Sequence, residues 1–340
     1  MMLDLAREQK LMGEEVTICS MYGPGKLDEK AAEYGIPVVH LRSGSKLTDN
    51  IRSLTKYLEE HPQNIVHSHW GTWLATAVSG FLKRTPRVHT HHANQRRRLF
   101  LEHRAASLFT NKVAVLTPQV DGYIRKWVAV PKRKIVVIPN GINASRLGQV
   151  APAELPGIPA DAIVVGMVAR LSPPKDYPTY MRAAKLVVEK HPEVHFLAVG
   201  DGQMRSAFEA EAAQMGLQNF HFLGPRLDVP QILRRMAISV LATKNEGLSI
   251  TLLEGMTSGC ACIASDIPAN RFVLDDGRCG LLVPNQDPAA LAEAIERLLT
   301  DPELRAGLQE KAKERAAFFT SRRMAERYIE LYRTLQPTRH

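Results

Sequence analysis

The segment KNEGLSITLLEGM, residues 244–256, carries two glutamates eight positions apart, Glu246 and Glu254. The preceding ISVLAT reads as a short buried strand, with KNEG as the turn at its carboxyl end. LSITLLEGMTSG then reads as a short helix stopped by Gly259. Glu246 therefore lies just outside the helix N-terminus. Glu254 lies inside the helix, about 7 Å beyond Ser249 at 1.5 Å per residue. The amides of Gly247, Leu248 and Ser249 fall between the two carboxylates, at the positive end of the helix dipole, where anions bind. A carboxylate, an anion seat and a second carboxylate match a nucleotide-sugar, which runs from sugar hydroxyls through a diphosphate to ribose hydroxyls. A solvated helix rim also carries two glutamates at this spacing, so the neighbouring motifs decide.

Three motifs add to the pair. In GMVARLSPPKDYPTYMRAA a strand ends at Ala169, and Arg170 and Lys175 follow on one Pro-rich loop. Two cations at a strand's carboxyl end suit a diphosphate, although ordinary surface charge has the same look. In FLAVGDGQMR, Gly200 and Gly202 flank Asp201 just after a strand, which permits close backbone approach but is also a plain turn. FHFLGPRLDVPQIL is a strand end, a turn at Gly224 and a helix.

The histidines call for separate weighing. His67 and His69 alternate in NIVHSHW and share a strand face, and His89, His91 and His92 follow in RVHTHH. Histidine is the commonest metal ligand, but no carboxylate or cysteine stands at ligand spacing beside these. No metal is expected, and His67 and His69 are read as strand-end packing. NQRRRLFLEHRAASLF, residues 94–109, places Arg96, Arg97 and Arg98 before an apolar-patterned helix. Such a helix suits an anionic membrane surface or an anionic acceptor, and a solvated basic face has the same composition.

These residues need elements to hold them. The 340 residues are enough for two domains, and 45% hydrophobic with 23% charged content is that of a globular chain. Short Val/Ile-rich runs alternate with amphipathic stretches: EVTICSMY, IPVVHLRS, NIVHSHW, RVHTHH, KVAVLT and KIVVIPNGI in the first half. IVVGMVARL, VHFLAVGDG, FHFLG, ISVLAT, ACIASD and GLLVP follow in the second. That alternation predicts α/β architecture with parallel sheets covered on both faces, whose ligands bind at the carboxyl ends of the strands. The Ala-, Pro- and Gly-rich stretch 143–162 reads as the linker between two such units. The tail from residue 287 reads as two or three helices.

Charge is uneven. Residues 1–150 hold 22 Lys and Arg against 12 Asp and Glu, whereas residues 151–340 hold 22 against 23. The basic half suits a phosphate-bearing surface. No apolar run reaches bilayer length, and MMLDLAREQK, with its early Asp4, does not read as an export signal. Cys19, Cys260, Cys262 and Cys279 form no C-x-x-C pair, which favours a reducing cytoplasm.

In order, Arg170, Lys175, VGDG, FLGPRLDVPQIL and NEGLSITLLEGMTSGCACIAS resemble the second domain of glycosyltransferase family 4, the retaining enzymes of GT-B architecture. IVHSHW, RVHTHHAN and KIVVIPNGIN are similar to its first domain, so the resemblance spans nearly the whole chain. It implies two Rossmann-like doubly wound domains facing a central cleft. The expected division is 1–150 on the acceptor side, 151–317 binding the donor, and a helix at 318–340 packing back on the first domain. The resemblance implies that Glu246 holds the donor sugar hydroxyls and Glu254 the ribose. Arg170 and Lys175 would neutralise the leaving diphosphate, and Gly247, Leu248 and Ser249 would supply amides. Gly200 would border the donor, and Leu223 to Arg226 the base. A histidine facing the reacting sugar would be His92, with His91 as runner-up.

The chain departs from the family pattern in two places. Asp176 follows Lys175 where Gly is common. The family also opens with a strand and a glycine-rich loop, whereas this sequence opens inside the helix that follows them, so the first domain is expected to lack its first strand.

The implied activity is sugar transfer from a nucleotide-diphosphate-sugar to a saccharide or lipid-linked acceptor, in cell-envelope polysaccharide or glycolipid synthesis. No cofactor and no nucleic acid are expected. The expected location is cytoplasmic and peripheral on the inner face of the membrane. A nucleotide-sugar 2-epimerase and an inactive donor-binding homologue share the architecture. A glycoside hydrolase using the glutamate pair gives no role to the Arg-Lys loop.

Overall fold

The computed structural model describes residues 1–25, 27–41, 44, 46–92, 100–148 and 150–336. Contacts divide the chain into two compact units, Met1–Gly141 with the chain from Ser321 onward, and Ile142–Thr320.

The first unit alternates helix and strand: α1 (Met2–Leu11), β1 (Ile18–Ser20), α2 (Asp28–Glu33), β2 (Val38–His40), α3 (Leu47–Glu60) and β3 (Val66–His69). α4 (Trp73–Leu82), β4 (Arg87–His91), α5 (Phe100–Phe109), β5 (Lys112–Val115), α6 (Pro118–Tyr123) and β6 (Ile135–Val137) follow. A π-helical turn, Ile124–Val128, extends α6. β1 and β2 pair in parallel, Ile18 opposite Val38. β3, β4, β5 and β6 form a second parallel sheet in that order. Among the described residues no ladder joins the two sheets.

Helices cover both faces, as buried parallel strands require. Trp73 and Ala77 of α4 and Ala106 of α5 pack on Val113 and Val115 of β5. On the other face Leu5 of α1 packs with Val88, Ala114 and Ile138. The same α1 sends Leu3 and Ala6 towards Ala31 and Ile36, beside Ile18 and Val38. The last helix, α15 (Ser321–Arg333), belongs to this unit and brings Met324, Ala325 and Tyr328 onto the α1 face of the sheet.

The second unit holds α7 (Ser145–Gly148), β7 (Val164–Val168), α8 (Tyr177–Val188), β8 (His195–Val199), α9 (Arg205–Gln214) and β9 (Phe220–Gly224). α10 (Val229–Arg235), β10 (Ile238–Leu241), α11 (Ile250–Ser258), β11 (Ala261–Ser265), α12 (Pro268–Val273) and β12 (Leu281–Val283) continue it. α13 (Pro288–Thr300) and α14 (Pro302–Ala316) close it. Both closing helices start on an aspartate cap followed by proline: Asp287 accepts from the Ala290 amide and Asp301 from the Leu304 amide. All six strands are parallel, in the order β12-β11-β10-β7-β8-β9. Their near-continuous apolar runs are buried, with Val165, Met167, Phe196, Ile238 and Ile263 in one core.

The stretch 143–162 lies inside the second unit rather than between the two. Its low periodicity reflects surface coil around the short α7, which packs against α10 and α11. The Ile142 amide already donates to the Phe319 carbonyl of the same unit.

Candidate active site

The strand order of the second unit creates the site. From β7 the chain steps outward through β8 to β9, then returns to the far side of β7 as β10. The loops leaving β7 and β10 therefore diverge, and the crevice between them lies at the carboxyl ends of the strands. Open parallel sheets bind ligands at this switch point. Arg170 and Lys175 stand on the first of these loops, and Glu246 stands on the second.

Backbone contacts tie the two loops together. Lys175 and Thr243 form an isolated antiparallel bridge. The Lys244 amide and the Thr243 hydroxyl both donate to the Pro174 carbonyl, at 2.9 and 3.1 Å. Asp176, where the family favours glycine, is buried: its amide donates to the Ala242 carbonyl and its Oδ2 accepts from the Thr179 hydroxyl at 2.7 Å. The backbone amide ties the start of α8 to the end of β10, and the aspartate side chain adds a bond within the first turn of α8 itself.

Across this clamp the Lys175 ammonium donates to Glu246 Oε1. Burial, and secondarily the neighbouring Arg170 charge, push the Lys175 ammonium down to about 8. Lys175 thus has one carboxylate partner, Glu246, while burial and the Arg170 charge both work against its protonated form.

α11 begins four residues after Glu246. Ser249 is its N-cap, and the Ser249 hydroxyl accepts from the Leu252 amide at 3.3 Å. The first-turn amides of Ile250 and Thr251 precede the intrahelical ladder. Leu248 is buried, Gly247 and Glu246 are half-buried, and Glu254 is half-buried inside the helix. Gly259 ends the helix at φ +85°, a left-handed cap that suits glycine.

The loops after β8 and β9 join the same edge. Gly200, at φ +138°, donates its amide to the Gly224 carbonyl, and the Leu171 amide donates to the Asp201 carbonyl. A Cβ at Gly200 would meet the Ala169 carbonyl at 2.2 Å, and one at Gly202 the Leu171 carbonyl at 2.2 Å. The close approach these glycines permit is thus to the Arg170 loop itself. Leu223 is half-buried at the end of β9, and the Arg226 guanidinium donates to both carboxylate oxygens of Asp228, at 2.8 and 2.7 Å.

In the first unit the histidines form one packed array. His67 bonds Tyr332 Oη at 2.6 Å through Nδ1 and Thr90 Oγ1 at 2.7 Å through Nε2. Thr90 in turn meets Tyr328 Oη at 2.7 Å. His67 and His69 rings lie 4.3 Å apart, and His69 Nδ1 meets His92 Nε2 at 3.1 Å. His89 stacks on Trp73 at 4.1 Å and bonds Ser68 Oγ at 2.9 Å. Burial lowers His69 and His91 to about 3 and His92 to about 4, so all three are neutral at physiological pH. Among the described residues, no three His, Cys, Asp or Glu side chains converge to hold a metal. The contacts from Tyr328 and Tyr332 escaped sequence reasoning, since no local signal links α15 to strands far earlier in the chain. Arg96, Arg97 and Arg98 lie outside the described residues.

Two Rossmann-like units of parallel sheet with this site define a GT-B glycosyltransferase fold. The glycosyltransferase from Rickettsia africae ESF-5 superposes with a TM-score of 0.85 at 20% identity, over 98% of this chain and 93% of its own. HepE from Anabaena, in complex with UDP and glucose, gives 0.82 at 19% identity, over 98% and 95%. The family Glycosyl transferases group 1 matches residues 154–315, and Glycosyltransferase Family 4 matches residues 1–146. The chain belongs to this glycosyltransferase family and is an enzyme of that class. It is 28% identical over 311 residues to the UDP-Gal:alpha-D-GlcNAc-diphosphoundecaprenol alpha-1,3-galactosyltransferase of Escherichia coli, covering 84% of this chain and 79% of that one. It is 26% identical over 351 residues to the phosphatidyl-myo-inositol mannosyltransferase of Mycolicibacterium smegmatis, covering 98% and 89%.

Proposed function

We propose that this glycosyltransferase takes a nucleotide-diphosphate-sugar and transfers the sugar, with retention, to a hydroxyl of a saccharide or lipid-linked acceptor of the cell envelope. The observation that carries the reading is the Lys175–Glu246 pair beside Arg170, across the switch point and next to the start of α11. Arg170, Lys175 and the amides of Gly247, Leu248 and Ser249 receive the leaving diphosphate and stabilise its developing charge. Glu246 holds the sugar hydroxyls and Glu254 the ribose. Gly200 and the segment from Leu223 to Arg226 border the nucleotide. His92 faces the reacting sugar. The leaving phosphate takes the acceptor proton on the same face. UDP in HepE and the UDP-sugar donor named for the Escherichia coli relative make a uridine nucleotide the first donor to test. The enzyme works on the cytoplasmic side, at the inner face of the membrane, where lipid-linked acceptors present their head groups.

A thermal-shift screen against UDP-, GDP- and ADP-sugars tests the donor. A ligand at about 100 times its Kd adds about 2.7 kcal/mol of stability. One nucleotide class should raise Tm, and Arg170→Ala, if it weakens binding about tenfold, should cut the rise to about half. No shift with any nucleotide-sugar, in a chain that melts cooperatively, removes the reading.

A further inference from the structure

The alternating histidines of the first unit divide between the two faces of its sheet. His89 stacks on Trp73 of α4, and His91 packs near Trp73 and His103, on the side covered by α4 and α5. His67 and His69 of β3 share the opposite face, where His67 meets Tyr328 of α15. In the β3–β4 register Thr90 stands beside His69, and His92 follows two residues later on the same side. The α15 side therefore carries His67, His69, Thr90 and His92 together.

Tyr328 and Tyr332 are four residues apart on α15, so both rings reach this face. Gln9 of α1 donates through Nε2 to Tyr332 Oη at 3.3 Å, which leaves the Tyr332 proton for His67 Nδ1 at 2.6 Å. Burial, and then the neighbouring His69 and His92 rings, lower the His67 imidazole, so it carries one proton at physiological pH. That proton sits on Nε2 and is donated to Thr90 Oγ1 at 2.7 Å. Thr90 Oγ1 also meets Tyr328 Oη at 2.7 Å. A ring engaged at both nitrogens keeps one tautomer and one orientation. His69 lies against this fixed ring, with centroids 4.3 Å apart, and its Nδ1 meets His92 Nε2 at 3.1 Å.

We propose that Tyr332 and Tyr328 are positioning residues for His92, acting through His67, Thr90 and His69. The proposal rests on the reading that His92 faces the reacting sugar. Docking α15 on the sheet needs the bonds to His67 and Thr90. It does not need the run of ring contacts that continues from His67 through His69 to His92. That run lets the last helix of the chain fix the orientation of a ring at the end of β4.

The test uses the full chain with isotope-labelled histidine, whose ring-nitrogen NMR shifts report each tautomer. Tyr332→Phe keeps the aromatic ring and removes the hydroxyl. It should move the His67, His69 and His92 signals and leave those of His195 and His221, in the second unit, in place. With the nucleotide-sugar that raises Tm, release of nucleoside diphosphate gives the rate. Tyr332→Phe should lower kcat about twofold to tenfold, the worth of one hydrogen bond, with the donor KM unchanged. Thr90→Val should act in the same direction. Thr90→Ser, which keeps the hydroxyl, should keep both the signals and the rate of wild type. In a His92→Asn background the Tyr332→Phe change should cost no further rate.

Circular dichroism melts show that each variant is folded. Unmoved His92 signals in Tyr332→Phe, or an equal fold-loss of rate with and without His92, would overturn the proposal and leave α15 as a structural cover. A wild-type rate in His92→Asn would instead remove His92 from the reaction. The ring-nitrogen signals alone would then decide whether α15 positions that ring.

Discussion

The Lys175 ammonium is held by the Glu246 carboxylate, each side chain reaching across the switch point from a different loop, with 19% and 17% of the two exposed. The pair makes each residue a partner of the other as well as a candidate ligand contact. Removing one leaves a mostly buried charge without its counter-ion, a cost of about 1–3 kcal/mol. Lys175→Ala should therefore lower stability by about that amount, and adding Glu246→Gln should restore part of it. Urea melts of the two single variants and the double variant measure the coupling. Strict additivity would show two independent groups that merely lie close.

Turnover should fall further than stability. Arg170→Ala and Lys175→Ala remove the cations proposed to take up the leaving charge. A lost charge-assisted contact costs about 1.5–3 kcal/mol, or roughly tenfold or more in rate. Initial rates normalised to folded protein check this. Equal rates per folded molecule would make both residues ordinary surface charges.

The pH dependence of donor affinity follows from Lys175. Its ordinary value is 10.5, and burial with Arg170 brings it to about 8. A diphosphate beside the ammonium favours the charged form and raises that value again. Binding above pH about 8 should then take up a proton, and affinity should fall as pH rises through about 8. Calorimetry at alkaline pH in buffers of different ionisation enthalpy reads the proton directly. A binding enthalpy that does not vary with buffer would place no titrating lysine at the diphosphate.

Glu246 and Glu254 should separate by phenotype. Glu254→Ala, at the proposed ribose end, should weaken donor binding about tenfold or more. Glu246→Gln, at the proposed sugar end, should mainly lower turnover. Donor titrations and steady-state rates distinguish the two. Wild-type values for both variants would remove the pair from the site.

The twelve strands among the described residues were legible, because parallel strands under covering helices are short apolar runs bounded by turns. α11 was legible from its Ser249 cap and its Gly259 stop, which are local signals of a helix. What pairs across the site was not. Nothing near Lys175 in sequence announces that Glu246 is its partner, since the strand order that joins their loops is a tertiary property. Gly200 looked like a ligand approach, and its Cα faces the Ala169 carbonyl. Asp176 looked like a departure from the family, and its buried carboxylate accepts from the Thr179 hydroxyl in the first turn of α8. Period and composition report burial and turns, whereas these contacts depend on which loops the sheet brings together.

The histidine array predicts the acid limit of the first unit. His89 and His91 are 2% and 4% exposed, and burial followed by neighbouring histidines lowers both. The unfolded chain takes up these protons as pH falls through the ordinary value of 6.5, while folded His91 resists until about 3. Stability is therefore fully present above about 6.5 and is lost as pH falls below it, by up to about 1.4 kcal/mol per pH unit for each histidine. Protonating one ring also places a charge beside the others, so the losses reinforce one another. Urea midpoints between pH about 7 and about 5 measure the slope. His91→Asn, which carries no titrating proton, should flatten that slope relative to wild type while carboxylates elsewhere titrate unchanged. An unchanged slope in His91→Asn would mean that the acid sensitivity arises elsewhere in the chain.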